Sequence, residues 1–147
     1  MGRDLQRRIG SATSATVLVA LLAGAGTLHV VTPRPFDSLI PGWLGSPRPW
    51  VIASGVAELL CAAALAAPPT RRRGAIATAA LFVAVFPGNV VMALHSHAGA
   101  FDVAHNPVVA WGRLPLQVPL VLWALAVAAE SRRRDAGSGP PSSSSRS

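Results

Sequence analysis

The sequence contains no lysine, no tyrosine and a single cysteine, and it has few charged residues of any kind. Only 13% of its 147 residues are charged, whereas 51% are hydrophobic. A soluble domain carries roughly 25% charged residues, so this composition argues against a soluble fold. The single Cys61 excludes an internal disulfide and a paired-cysteine redox motif.

The hydrophobic residues fall into four blocks instead of following an amphipathic repeat. Because a membrane-spanning helix needs about 20 mostly apolar residues, the blocks predict an all-α fold, an integral membrane four-helix bundle. The predicted spans lie in a transmembrane domain of residues 11–130 and are residues 11–31, 50–67, 74–94 and 114–129. Small residues allow close helix contacts in lipid, and Gly24 with Leu28 or Ala23 with Thr27 could supply such a face.

Two segments flank the predicted transmembrane domain. Residues 1–10 form a basic arm, and residues 131–147 consist mainly of Ser, Arg, Gly and Pro. The second composition cannot bury enough apolar surface to order itself, so we predict a disordered tail. In an alternative interpretation, residues 1–8 begin a cleavable signal peptide with its cleavage site at residues 23–25. Since the apolar block continues to Val31, beyond a usual signal core, we keep the first helix as a span.

The thirteen arginines predict how the chain is oriented. Ten lie before the first span, between the second and third spans, or after the fourth, whereas Arg34, Arg48 and Arg113 lie in the other two connections. Because cytoplasmic loops carry the excess of basic residues, both termini are predicted to be cytoplasmic. The arginine clusters are short and lack interleaved aromatic residues, so the charge indicates contact with the lipid bilayer and not with nucleic acid.

The connection after the first helix, residues 32–49, is too apolar for a free loop. Its apolar residues follow helical spacing, and Pro41 limits any helix to about one turn on each side. We therefore predict a short interfacial segment, with Trp43 and Trp50 as anchors at the membrane boundary.

Polar residues lie in the outer half of all four predicted spans. They are His29, Ser54, Glu58, Asn89 and Gln117, and Arg113 directly precedes the fourth span on the helical face of Gln117. Glu58 decides the interpretation, since a carboxylate at the centre of a span costs about 2.5–3.5 kcal/mol on insertion scales and is rare without a role. One interpretation is that these residues hold the helices together through hydrogen bonds. The other is a shared polar cavity that opens to the outer face, ends at Glu58, and binds a ligand or handles a proton.

Two prolines are predicted to disturb the helices near these residues. Pro87, followed by Gly88, removes the hydrogen bond to the Val83 carbonyl, and Pro119 has the same effect in the fourth span. Spans tolerate such breaks where the freed groups meet protein or water, which favours the cavity. A kink that only improves packing is the alternative.

The histidines raise two weaker alternatives. His29 and His95 could face each other as axial ligands of a haem, and His95-x-His97 could bind a metal. No acidic or cysteine partner lies at ligand spacing, so no metal site is predicted. The sequence also has no nucleophile–base arrangement and no nucleotide-binding loop, so we do not expect the chain alone to be an enzyme.

Four segments at matching helical positions carry a family resemblance. They are Leu28-His29 through Pro33-x-Pro35-Phe36 to Ile40-Pro41, Ser54-Gly55-Val56-Ala57-Glu58-Leu59, Phe86-Pro87-Gly88-Asn89-Val90-Val91-Met92-Ala93 and Arg113-Leu114-Pro115-Leu116-Gln117. Over residues 28–129 the chain resembles the DoxX-like family of small four-helix bacterial membrane proteins.

The resemblance implies a multi-pass protein of the bacterial cytoplasmic (inner) membrane. It also implies an association with redox chemistry, because the family is named for a subunit of a thiosulfate:quinone oxidoreductase. It places Glu58, Asn89, Arg113 and Gln117 at the family's polar positions. We therefore expect an accessory or quinone-handling subunit of a membrane redox assembly, with quinone as the ligand and a redox protein or a second copy as partner.

Two other functions stay open at this level. One is a non-enzymatic membrane scaffold that stabilises a partner. The other is a small solute or proton carrier, which is less favoured because four short helices leave little room for alternating access without oligomerisation.

Overall fold

The structure is a computed structural model that describes residues 2–40, 42–96 and 106–137. All regular structure in these residues is helical. The α-helices are α1 (Gly2–Val31), α2 (Pro47–Ala66), α3 (Arg71–Ala84), α4 (Phe86–His95) and α5 (Pro107–Gly137). Two short 3-10 helices, Arg34–Leu39 and Gly42–Leu44, connect α1 to α2, and we call them the cover turns.

Four helical stretches are long and apolar enough to cross a membrane. They are Thr13–Val31, Pro47–Ala66, Arg71–His95 and Pro107–Gly137. Only 22–28% of the residues in their most apolar windows are buried inside the protein, so most of the apolar side chains face outward, as they do in lipid. The prediction of an all-α chain with four such helices is confirmed for the described residues.

Helix α5 is longer than the predicted fourth span, residues 114–129, at both ends, since it begins at Pro107. It continues through Pro119 without a break and ends at Gly137, so it replaces the predicted disorder over residues 131–137. The polar last turns keep helical contacts, because the Ser131 hydroxyl donates to the Val127 carbonyl at 2.9 Å. Residues 138–147 lie outside the described residues.

The core lies in the half of the bundle that contains the connection between α2 and α3. Its largest members come from four helices and include Leu18, Leu22, Leu65, Phe82 and Val127. Arg71 donates hydrogen bonds to the carbonyls of Leu65 and Ala66 at the end of α2, at 2.9 and 3.1 Å. These bonds satisfy helix-terminal carbonyls and fix the short connection, so this end of the bundle is tightly closed.

Towards the cover turns the helices associate as two pairs, α1 with α2 and α4 with α5. The first pair is closest at Gly26 and Gly55, where a Cβ atom on Gly55 would lie 2.9 Å from the Gly26 carbonyl oxygen. The proposed close contact at Gly24 is wrong, since nothing lies within 4 Å of a Cβ atom placed there. The second pair, α4 and α5, packs through the buried residues Met92, Ala93 and Ala110.

Candidate functional site

A cavity of about 680 Å³ lies between the two helix pairs, on the side of the bundle away from the core. All six polar residues singled out in the sequence line it, namely His29, Ser54, Glu58, Asn89, Arg113 and Gln117. Most of the remaining wall is apolar, and the cover turns add Phe36, Ile40, Trp43 and Leu44 at the mouth. The structure therefore brings these polar groups together in one partly open cavity; their role in binding a ligand or handling a proton stays a prediction.

On the α1–α2 wall, His29 and Glu58 form a pair. The His29 Nδ1 and Glu58 Oε2 atoms are 3.0 Å apart, and the two side chains are only 17% and 12% exposed. The close approach of the helices makes this possible, because a Cβ atom on Gly55 would lie 2.7 Å from the His29 Cβ atom. The Glu58 carboxyl thus has a partner within the protein, which reduces the cost of placing it in an apolar helix.

On the opposite wall, the Gln117 side chain links three elements. Its Nε2 atom donates to the Phe82 carbonyl in α3, and its Oε1 atom accepts a hydrogen bond from Asn89 Nδ2 in α4 at 2.7 Å. A backbone carbonyl can only accept, so it fixes the orientation of the Gln117 amide and, through it, that of the Asn89 amide. One N–H group of the Asn89 amide donates to Gln117, and the other is left for the cavity.

The Gln117 contact lies at the break in the third span. Helix α3 ends at Ala84 and α4 begins at Phe86 with Pro87 in its first turn, so the interruption lies where Pro87-Gly88 predicts it. The carbonyl that accepts from Gln117 is that of Phe82, one residue before the Val83 carbonyl that the proline spacing predicts to be free. Separate α3 and α4 segments leave that carbonyl accessible, because Phe86 begins a new helix.

Arg113 is the one half-buried arginine of the cavity wall. It has no ion-pair or hydrogen-bond partner among residues 2–40, 42–96 and 106–137. It lies one helical turn before Gln117 on α5, so the two side chains share a face. Its guanidinium is therefore a cation whose charge the described protein groups do not neutralise.

The cover turns are attached to the helices by three contacts. The Phe36 and His29 ring centroids are 4.1 Å apart. Arg48 donates two hydrogen bonds to the Asp37 carboxylate, from Nη2 at 2.9 Å and from Nε at 3.3 Å. The Trp50 indole N–H donates to the Leu44 carbonyl at 3.2 Å. The predicted interfacial segment thus consists of two helical turns on either side of position 41, and it lies over the cavity mouth.

The described part of the chain holds no group of side chains arranged to bind a metal ion, and His29 and His95 do not face each other across the cavity. No group of three His, Cys, Asp or Glu side chains there could hold a metal ion. His29 is paired with Glu58, whereas His95 is exposed, does not line the cavity and has its Nδ1 atom 2.8 Å from the Val91 carbonyl oxygen. His97 lies outside the described residues.

Sequence reasoning missed three parts of this site. Phe36 contacts His29 directly, although its helical spacing only predicted contact with lipid. The Gly26–Gly55 approach was not identified, because many small residues lie on these helices and spacing alone does not select one pair. The Phe82 carbonyl carries no sequence signal beyond its position before Pro87.

Comparison with known proteins identifies a family. Residues 18–128 match the family described as Domain of unknown function (DUF8561). No curated protein and no solved structure matches the chain at a significant level. The matched region holds the cover turns and all six polar residues of the cavity wall, and it spans well over half of the chain. The chain therefore belongs to the DUF8561 family.

Proposed function

We propose that this protein is a membrane-embedded binding subunit that holds the head group of a quinone, or of a similar amphipathic molecule, in the cavity between its helix pairs. The observation that supports the proposal is the convergence of six polar side chains on a cavity whose other wall residues are mostly apolar. Ligand sites commonly combine an apolar lining with a few placed polar groups. A quinone has the matching form, with hydrogen-bond acceptors on a flat ring and an apolar tail.

Each wall has a distinct task in this proposal. Asn89 and Arg113 donate hydrogen bonds to a head-group oxygen, since both present N–H groups at the cavity. On the other wall, Glu58 holds or passes a proton together with His29. Trp43 and Trp50 pack against the apolar part of the ligand at the mouth.

The proposed setting is the cytoplasmic membrane of a bacterium, with both termini in the cytoplasm. Two observations support the orientation. Ten of the thirteen arginines lie before the first span, between the second and third spans, or after the fourth span, which are positions on one side of the membrane in a four-span chain. Arg71 and Arg134 line the same small crevice, so the α2–α3 connection and the end of α5 lie at one end of the bundle. The cavity then opens in the outer half of the bilayer.

The chain would act as an accessory component of a redox assembly, as its resemblance to DoxX-like proteins implies, with a redox protein or a second copy as partner. The closed core favours a binding site over a solute or proton carrier. Leu18, Leu22 and Leu65 are at most 1% exposed and fill the bundle between the cavity and the arginine-rich end. A carrier would need a second opening there.

Quinone binding can be measured through the protein's own fluorescence. Two of the four tryptophans, Trp43 and Trp50, line the cavity, and a bound quinone quenches them. In phosphatidylcholine nanodiscs, we expect saturable quenching by a short-chain quinone, and Trp43→Phe with Trp50→Phe should remove most of it. Glu58→Gln replaces the carboxyl group that pairs with His29, and we expect it to weaken binding about tenfold or more.

Glu130→Gln is the matched control, because Glu130 lies at the opposite end of the bundle beside Arg134. It should bind like the wild type. If the purified protein carries only lipid and Glu58→Gln leaves quenching unchanged, the quinone proposal is wrong. The scaffold function would then be the better account, and it predicts that large residues on the helix surfaces disrupt a complex.

A further inference from the structure

We infer that Arg113 makes the cavity select an amphipathic ligand whose head group carries a negatively charged oxygen. This inference rests on the proposed binding function, because it specifies the chemical class of the ligand in the same cavity. It concerns the α4–α5 wall, where the structure leaves a positive charge without a described counter-ion.

Of the charged groups in and around the cavity, Arg113 is the one without a partner among the described residues. Glu58 on α2 is paired with His29 on α1 at 3.0 Å. At the mouth, Asp37 of the cover turns is paired with Arg48 at 2.9 Å. Both acidic groups near the cavity thus have a partner of their own, and Arg113 on α5 has no acidic partner among the described residues.

The chemistry of arginine makes this surplus informative. A guanidinium does not lose its proton in proteins, so it cannot become neutral when apolar surroundings raise the cost of its charge. A charge in such surroundings is stabilised by an anion, and arginine binds carboxylates and other oxyanions through two parallel N–H bonds. Apolar Leu116 and Leu120 line the same wall, so an oxyanion is the natural partner for the charge of Arg113.

The neighbouring groups define where the charged oxygen would lie. Gln117 lies one helical turn from Arg113. It accepts a hydrogen bond from the Asn89 amide and so holds that amide in place, and the second N–H group of the Asn89 amide faces no described partner. The α4–α5 wall is therefore rich in donors, whereas the α1–α2 wall carries the Glu58 carboxyl. An anionic head group is attracted to the Arg113 guanidinium on the first wall, which fixes its direction in the cavity.

Two naphthoquinones with the same alkyl tail test the inference. One carries a 2-hydroxyl group, which is ionised at neutral pH, and the other carries a 2-methyl group and is neutral. We expect the ionised probe to quench the cavity tryptophans in phosphatidylcholine nanodiscs at concentrations roughly 10–100-fold lower, as a charge-assisted hydrogen bond gives. Arg113→Gln should abolish this preference, and Arg113→Lys should retain part of it.

Arg34→Gln is the control for surface charge, because Arg34 is an exposed arginine of the cover turns that does not line the cavity. It should keep the preference.

Asp102 lies outside the described residues and is the other acid that could neutralise Arg113. Unchanged affinity in Asp102→Asn supports the inference, whereas a tenfold rise for the ionised probe would show that this carboxylate occupies Arg113 and would overturn it.

A dibrominated fatty acid and its methyl ester separate this inference from the quinone proposal, since bromine also quenches tryptophan. If both quinones bind equally and Arg113→Gln changes neither, the inference is wrong and the quinone proposal survives. If neither quinone binds but the fatty acid does, in preference to its ester and only with Arg113, the quinone proposal fails and the inference stands. Competition by phosphatidylglycerol would identify a lipid head group as the source of the oxyanion.

Discussion

Replacing Gly55 by leucine is expected to lower the free energy of unfolding by about 3 kcal/mol, since overpacking at a tight contact costs up to this amount or more. A Cβ atom at this position would lie 2.7 Å from the His29 Cβ atom and 2.9 Å from the Gly26 carbonyl oxygen. The second of these neighbours is backbone, which cannot rotate away, so α1 and α2 must separate. Thermal or denaturant unfolding in detergent measures the change.

The same substitution should also remove ligand binding, because separating the helices separates His29 from Glu58. Gly24→Leu is the matched control, since Gly24 is exposed and a Cβ atom placed there meets nothing within 4 Å. Leucine is the better helix former by under 1 kcal/mol, so this control should leave stability unchanged or slightly raised. Equal stability of the two variants would mean that α1 and α2 do not approach at Gly26 and Gly55.

Replacing Gln117 by leucine is expected to lower the free energy of unfolding by about 2 kcal/mol, within the range for leaving a buried polar group unpaired. Gln117 is only 7% exposed, and its amide serves the Phe82 carbonyl and the Asn89 amide together. Leucine has a similar size but no hydrogen-bonding group. Both partners would therefore lose their contact.

Asn89→Leu gives the comparison that tests this explanation. It removes only the side-chain hydrogen bond and leaves the Phe82 carbonyl bonded to Gln117. Interhelical side-chain bonds in membrane proteins contribute ~0.6 kcal/mol on average, so we expect a loss near that value. A larger loss for Asn89→Leu than for Gln117→Leu would contradict a role for Gln117 in satisfying the helix break.

The four long apolar helical stretches could be predicted from the sequence, because a helix long enough to cross a membrane needs a long run of apolar residues. The polar residues that share a cavity were also predictable as a set, because each is unusual in its own span. Pro87-Gly88 marked the break between α3 and α4, since proline cannot donate the helical hydrogen bond. These signals are local and need no knowledge of how the helices pack.

The pairings within the cavity depend on packing and could not be predicted. Nothing in the sequence states that Glu58 meets His29 and not Arg113, because that choice follows from the close approach at Gly55. The helical turns after Ala129 could not be predicted for a related reason. Composition predicts disorder from Ser131, yet this residue is buried and bonded to the Val127 carbonyl, so it continues the helix.

The proposed function requires a cavity that water and ligand enter from the outer face beside Glu58, and thiol labelling tests this directly. In a Cys61→Ala background, Ser54→Cys places a thiol on the cavity wall, and Val56→Cys places one on the outward surface of α2. A charged, membrane-impermeant reagent added to intact cells should label position 54 and not position 56, and a bound short-chain quinone should slow the labelling. A thiol at position 54 that stays unreactive, or reacts only from the cytoplasmic side, would contradict the account.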